Sequence, residues 1–289
     1  MTEPDPGPLA LVDAWPVPHA AAGVVGRPDP AAGGRPPVLA LRGEAGLRQP
    51  WASVTKLATA LATLVAHEEG ILTLDDPAGP PGATIRHLLA HASGLAFDRP
   101  DPVAAPGRRR IYSNAGFEVV AGAVARAADM AFGVYLHEAV LQPLAMGATR
   151  LEGSPAADLV GPLDDLLRLA GELLAPTLVA PETLRAATAV AFPGLAGVLP
   201  GFGRHARQDW GLGFEVRDAK SPHWTGAGNS PATFGHFGAC GSFLWVDPEA
   251  GLACAALSGR DFGEWAKAAW PALGDAVLAA LGPAGTGLA

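Results

Sequence analysis

The chain holds three lysines, Lys56, Lys220 and Lys267, against seventeen arginines, so the surroundings of each lysine are informative. Lys56 follows Ser53 by three positions, and residues i and i+3 share one helix face, within reach of amine to hydroxyl. A helix N-terminus favours negative charge on Ser53 and a neutral amine beside it. Together they make a nucleophile with its base. The bland alternative is Ser53 as a helix cap and Lys56 as a solvated cation. A second cluster is Tyr112-Ser113-Asn114, between the loop 106–110 and a predicted helix. A phenol beside a lysine loses its proton more easily and acts as a general base, and an amide hydrogen-bonds a substrate carbonyl. Capping by Ser113 or Asn114 and packing of Tyr112 account for the same residues. A third is Gly235-His236-Phe237-Gly238-Ala239-Cys240-Gly241 on a predicted strand. Glycines weaken a strand unless another group approaches its backbone, so a ligand laid along it, with N–H donors for an oxyanion, is one reading. A bulged strand is the other.

The elements that must position these groups follow from apolar spacing. Leu57, Ala60, Leu61, Leu64 and Val65 predict a helix from 53 to 70. Two strands are expected at 19–25 and 37–42 around a turn-rich linker. Between 75 and 207 the spacing is mostly helical, with helices at 84–90, 115–128, 134–142, 162–174 and 181–189. Strand patterns return at 210–216, 233–246 and 252–258, the last two forming a hairpin across Asp247-Pro248-Glu249-Ala250-Gly251. A helix at 264–281 packs on the sheet through Trp265, Ala268, Ala269, Leu273, Val277 and Leu281, with Pro271 bending it or starting it afresh. The expected architecture is α+β: an antiparallel sheet flanked by helices, with an inserted mainly helical lobe. Residues 1–74 and 208–289 build the sheet lobe and 75–207 the helical lobe, with a pocket at their junction.

Composition narrows the partners. With Lys+Arg 20 against Asp+Glu 28 the net charge is −8, which removes the basic footprint of nucleic-acid binding; Arg108-Arg109-Arg110 is the one basic run and reads as a solvated loop or a carboxylate-binding rim. No apolar run reaches a membrane span and the first residues lack a signal-peptide pattern, so the expected location is cytoplasmic, without membrane or nucleic-acid partners. Cys240 and Cys254 are too few for a disulfide scaffold and are expected as reduced, partly buried thiols. His87 and His91, at i and i+4, lack the glutamate of a zinc-hydrolase helix. Gly211-Leu212-Gly213 lacks the rest of a dinucleotide loop. No metal or organic cofactor is implied.

Taken in order, Ser53-Val54-Thr55-Lys56, Tyr112-Ser113-Asn114 and His236-Phe237-Gly238 resemble the three motifs of the serine β-lactamase and penicillin-binding-protein superfamily. Tyr-x-Asn and His-x-Gly resemble its class C-like branch, which includes D-alanyl-D-alanine carboxypeptidases, D-aminopeptidases and family VIII esterases. Smaller matches at 70–77, 85–95, 210–214 and 241–248 extend the likeness over about residues 50 to 260. The resemblance implies Ser53 as acylated nucleophile, Lys56 as its partner and Tyr112 as the proton-exchanging phenol. It implies Ser53 and Ala239 N–H groups as oxyanion hole, Asn114 orienting the acyl side chain, and His236, Phe237 and Gly238 lining the substrate. His236 stands where many relatives have lysine, which removes a fixed positive charge for a β-lactam carboxylate. The compact segment 96–107 and Phe237 favour a small or apolar acyl group. The expectation is a serine hydrolase acting on a small ester or amide. Its rivals are a transacylase, a β-lactamase or D-amino-acid peptidase on the same site, and a non-catalytic ligand-binding homologue.

Overall fold

A computed structural model describes residues 7–28 and 36–283. Its centre is a six-stranded antiparallel sheet in the order β2-β1-β11-β10-β9-β8. These strands are β1 (Ala20–Gly26), β2 (Val38–Arg42), β8 (Glu215–Val216), β9 (Phe234–Gly238), β10 (Ser242–Asp247) and β11 (Leu252–Ser258). The two ends of the chain are joined directly, with Ala20 opposite Ser258 and Gly26 opposite Leu252. The 233–246 stretch is therefore two strands, turning at Gly241 with φ +81°, and the hairpin to β11 forms as expected. Of 210–216 only the last two residues are strand.

Side-chain alternation buries both faces. Ala21, Val25, Leu244, Val246, Ala253 and Ala255 join one core; Ala22, Val24, Phe243, Trp245, Cys254 and Ala256 join the other. Over the first face lies α5 (Leu163–Leu174), packed on β1, β10 and β11. Gly23 makes this close approach possible, since a Cβ there would stand 2.6 Å from Leu167 Cδ1. The sheet thus takes one of its covers from inside the 75–207 segment. Over the other face lies α7 (Glu264–Leu281), which runs through Pro271 as one helix. It buries Leu273 and Val277 as expected, packs Trp265, Ala269 and Leu281 partly buried against the same core, and adds Ala266 and Trp270, while Ala268 is exposed.

The helix that follows Ser53, α1 (Thr55–Glu68), is buried from Thr55 through Ala66 because nearly every side chain is small or apolar. The other helices are α2 (Ile85–Leu89), α3 (Asn114–Ala128), α4 (Phe132–Leu136), which continues as a π-helical turn His137–Leu141, and α6 (Pro181–Thr188). Four short strands also lie between 75 and 207: β4 (Arg150–Leu151), β5 (Leu159–Gly161), β6 (Gly197–Leu199) and β7 (Gly203–His205). At two or three residues each they are too short to show a period-two pattern. The first two form a small sheet with β3 (Gln49–Pro50), and the last two form a separate hairpin.

Candidate active site

Ser53 sits in a 3-10 turn, Ala52–Val54, that leads into α1. Ala52 holds φ +44°, a left-handed conformation that costs an alanine roughly 1 kcal/mol. The turn is held from several sides. Trp51 N–H bonds Leu159 O at 2.9 Å and its indole N–H bonds Gly161 O at 3.1 Å; Thr55 Oγ1 accepts from Leu159 N at 3.0 Å. From the sheet side, β9 presses Gly238 against it. A Cβ on Gly238 would lie 2.5 Å from Trp51 O and 3.0 Å from Ala52 Cβ. The backbone that approaches this glycine is the chain's own, so Gly238 positions the serine turn.

Lys56 is fully buried, and its Nζ lies 2.7 Å from Asn114 Oδ1, 2.8 Å from Ala156 O and 3.2 Å from Ser53 Oγ. Burial drives its pKa from 10.5 down to about 7, against the pull of the Asp98 and Glu118 carboxylates. A neutral amine has two N–H bonds and one lone pair. Two of its neighbours, the amide and peptide oxygens, can only accept, so the lone pair is left for the Ser53 hydroxyl.

Tyr112 OH stands 2.7 Å from Ser53 Oγ and 3.3 Å from His236 Nε2. Burial raises the phenol's pKa, which corrects the expectation that a neighbouring lysine makes it easy to ionise. The desolvation that makes Lys56 a base makes Tyr112 a neutral donor. His236 Nδ1 lies 2.6 Å from Phe237 O, a pure acceptor, so Nδ1 carries the ring proton and the Nε2 lone pair faces Tyr112 OH, whose one hydrogen goes to Ser53 Oγ. Burial, with Lys56 nearby, lowers the imidazole to about 3 and leaves it uncharged at neutral pH.

Asn114 opens α3 after Ser113, whose hydroxyl caps the helix by accepting from Gly116 N at 3.0 Å. Asn114 holds Lys56 through Oδ1 and donates to Asp98 Oδ1 at 2.9 Å. Its oxygen thus serves the amine and its nitrogen the Asp98 carboxylate. Ala239, just past β9, lines the cavity. Its N–H bonds no acceptor among the described residues, which suits it to an oxyanion. Phe237 reaches the cavity too and packs on Phe262 at 4.9 Å.

The cavity over Ser53 has a volume of about 770 Å³ and mostly apolar walls, among them Phe97, Val103, Ile111, Leu199 and Trp210. Trp210 is buried among aromatic rings. It stands edge-on to His91 at 4.6 Å and to His236 at 5.3 Å, making one wall of the site. The hairpin β6–β7 was not foreseen. It closes the cavity's far side, docked by a bridge between Arg110 and Gly197.

The arginine run divides. Arg108 and Arg109 are exposed, but Arg110 is buried, and its guanidinium bonds the carbonyls of Ala90, Ala191, Phe192 and Gln208 at 2.6–3.1 Å. Burial lowers its pKa to about 10. His87 and His91 do not share a helix, because α2 stops at Leu89 and His91 has φ +53°. His91 Nδ1 accepts from Ser113 N, and His87 stacks on Phe192. No group of three metal-ligating side chains forms among the described residues. Cys240 is half-buried with Sγ 3.0 Å from Pro50 O, and burial raises its thiol pKa.

An antiparallel sheet between helices, with a serine turn, a neutral lysine and a phenol beneath an apolar cavity, defines a serine hydrolase of the β-lactamase fold. The family model described as Beta-lactamase matches residues 31–278, and the chain belongs to that family. It is similar to the structure of a β-lactamase from Mycobacterium bovis, with 52% identity, TM-score 0.91, and coverage of 96% of this chain and 100% of that one. It shares its fold with unliganded simvastatin synthase (LovD) from Aspergillus terreus, at 17% identity, TM-score 0.74, and 93% and 96% coverage. D-alanyl-D-alanine-carboxypeptidase/endopeptidase AmpH of Escherichia coli is 29% identical over 36% of this chain and 37% of its own, so little more than a third of that relative is spanned. No single helix among the described residues is long and apolar enough to cross a membrane.

Proposed function

We propose that the protein hydrolyses small, predominantly apolar esters or amides through an acyl-enzyme at Ser53. The observation that carries this reading is the pairing of a buried amine, its lone pair free for Ser53, with an un-ionised phenol 2.7 Å from the same oxygen. Lys56 takes the Ser53 proton as Oγ attacks the carbonyl, whose oxygen collects charge near the Ser53 and Ala239 N–H groups. Tyr112 then gives its proton to the departing oxygen or nitrogen. The ammonium left on Lys56 lies 4.8 Å from the Tyr112 ring centroid and eases the transient phenolate. In the second half the phenolate takes a proton from water, which attacks the acyl group, and Lys56 returns its proton to Ser53.

β-Lactam hydrolysis is a second reading, supported by the Mycobacterium bovis relative. The uncharged, buried His236 argues for esters over β-lactams, since it offers a substrate carboxylate no cation. Intact-protein mass spectrometry with p-nitrophenyl butyrate, nitrocefin and a phosphonate probe tests both. A phosphonate adduct and ester turnover, both lost in Ser53→Ala, are expected. Ester turnover that survives Ser53→Ala would refute the acyl-enzyme, and nitrocefin turnover exceeding that of the ester would favour the second reading.

A further inference from the structure

Two cations at the mouth of the cavity are left over by this mechanism. Arg109 and Arg204 both line it, both are exposed, and neither has a hydrogen bond or ion pair among the described residues. Their placement follows from register. Arg110 is bridged in parallel to Gly197, while Val198 lies opposite Arg204 across the β6–β7 hairpin. Residues that pair across neighbouring strands share a face, and adjacent residues alternate. Arg110 and Gly197 therefore mark the inner face, where the Arg110 guanidinium is buried. Arg109, Ile111, Val198 and Arg204 fall together on the opposite face; all four line the cavity, as do Arg110, Gly197 and Leu199, but the Arg110 guanidinium is taken up by carbonyls whereas Arg109 and Arg204 are exposed.

Nothing acidic at the mouth compensates them. The one carboxylate in the lining is Glu215, buried between Lys220 Nζ at 2.6 Å and His223 Nε2 at 2.9 Å. In a chain of net charge −8, the entrance to an apolar chamber therefore carries two unengaged guanidiniums. Guanidinium forks suit carboxylate and phosphate oxygens.

We infer that Arg109 and Arg204 form an anion-binding rim, and that the preferred acyl donor joins an apolar acyl chain to a carboxylate or phosphate held outside the chamber. The inference rests on Ser53 acylation and names the substrate class for it. The anion belongs either to the far end of the acyl chain or to the leaving group, and paired substrates separate the two. p-Nitrophenyl hexanoate is compared with mono-p-nitrophenyl adipate, and hexanoyl pantetheine with hexanoyl 4′-phosphopantetheine.

In at least one pair the anionic member should show about tenfold higher kcat/KM at low salt, a ratio that shrinks as salt screens the rim. Arg109→Ala/Arg204→Ala should bring that ratio close to one, the double lysine variant should retain most of it, and Arg204→Glu should reverse it. Arg126→Ala, on the exposed part of α3, should leave it as in the wild type. Equilibrium binding of the same compounds to Ser53→Ala reads the rim without any chemistry, so a failure of acylation is distinguishable from a failure of the rim. Ratios near one in both pairs, or a preference that survives in the double alanine variant, would overturn the inference.

Discussion

Lys56 works as a base only while it is neutral, so acylation should follow its titration. With a pKa of about 7, roughly a tenth of the folded molecules hold the free amine at pH 6 and about nine-tenths at pH 8. Single-turnover acylation by p-nitrophenyl butyrate should therefore rise about tenfold between these values, and fall about tenfold per pH unit below 6. The Asp98 carboxylate pulls the amine's pKa upward. Asp98→Asn keeps an oxygen for Asn114 and removes the charge, so the acid limb should move to lower pH and the variant should outperform the wild type at pH 5.5.

Stability changes in the same sense, over a higher pH window. The unfolded chain holds this proton up to about 10.5, whereas the folded chain releases it near 7. Over that window the unfolded state binds more protons, so this group makes stability rise with pH; below about 7 the burial penalty is fully present. The difference corresponds to about 5 kcal/mol, of which hydrogen bonds from Lys56 recover a part. Lys56→Met should abolish turnover and yet raise the melting temperature at pH 6 by about 5 °C or more, the gain fading towards pH 10. An acylation rate flat from pH 5.5 to 7.5, or an acid limb that Asp98→Asn moves upward, would refute the assignment of Lys56 as the base.

Other substitutions address the remaining parts. Tyr112→Phe should lower kcat by about 10²–10³ with the phosphonate adduct still forming slowly, as seen by stopped-flow and mass spectrometry. Gly238→Ala drives a methyl into Trp51 O and should cost about 1–3 kcal/mol in urea melts and most of the activity, because it displaces the serine turn. Arg110→Ala leaves four carbonyls without their donor and should cost about 3–5 kcal/mol, measured as a fall in the urea midpoint. Glu215→Ala leaves Lys220 buried without its counter-charge and should cost a similar amount.

The order of elements was readable wherever an apolar period ran for two turns or more, as in α1, α3 and α5, and wherever a strand was bounded by turn residues, as in β2 and β11, whereas β9 and β10 read as one strand. The nucleophile, the amine and the phenol were marked by residue type and spacing, and all three meet at Ser53 Oγ. What the sequence hid depends on distant partners. Arg109 and Arg110 look alike in a run of three and both border the cavity, and only distant partners show that Arg110 is buried on four carbonyls while Arg109 stays exposed. The glycine of His236-Phe237-Gly238 suggested a ligand, although Trp51, nearly two hundred residues earlier, is what lies against it. Burial of the site as a whole decides the proton distribution between Lys56 and Tyr112, and spacing carries no information about that.

The pairing of Ala20 with Ser258 bears on how the protein is made. Strands from opposite ends of a chain meet only after most of it exists, so this topology folds through long-range contacts and slowly. The serine turn leans on β9, and β9 pairs with β10, so its support is synthesised some 180 residues after Ser53 itself. During translation the emerging Ser53-to-Lys56 stretch is chemically complete but mechanically unsupported, and reactivity should appear only once β9 and β10 have been made and paired. A protease cut in the β9–β10 turn would likewise act on catalysis from the far side of the sequence, switching off an intact nucleophile by withdrawing the strand behind it.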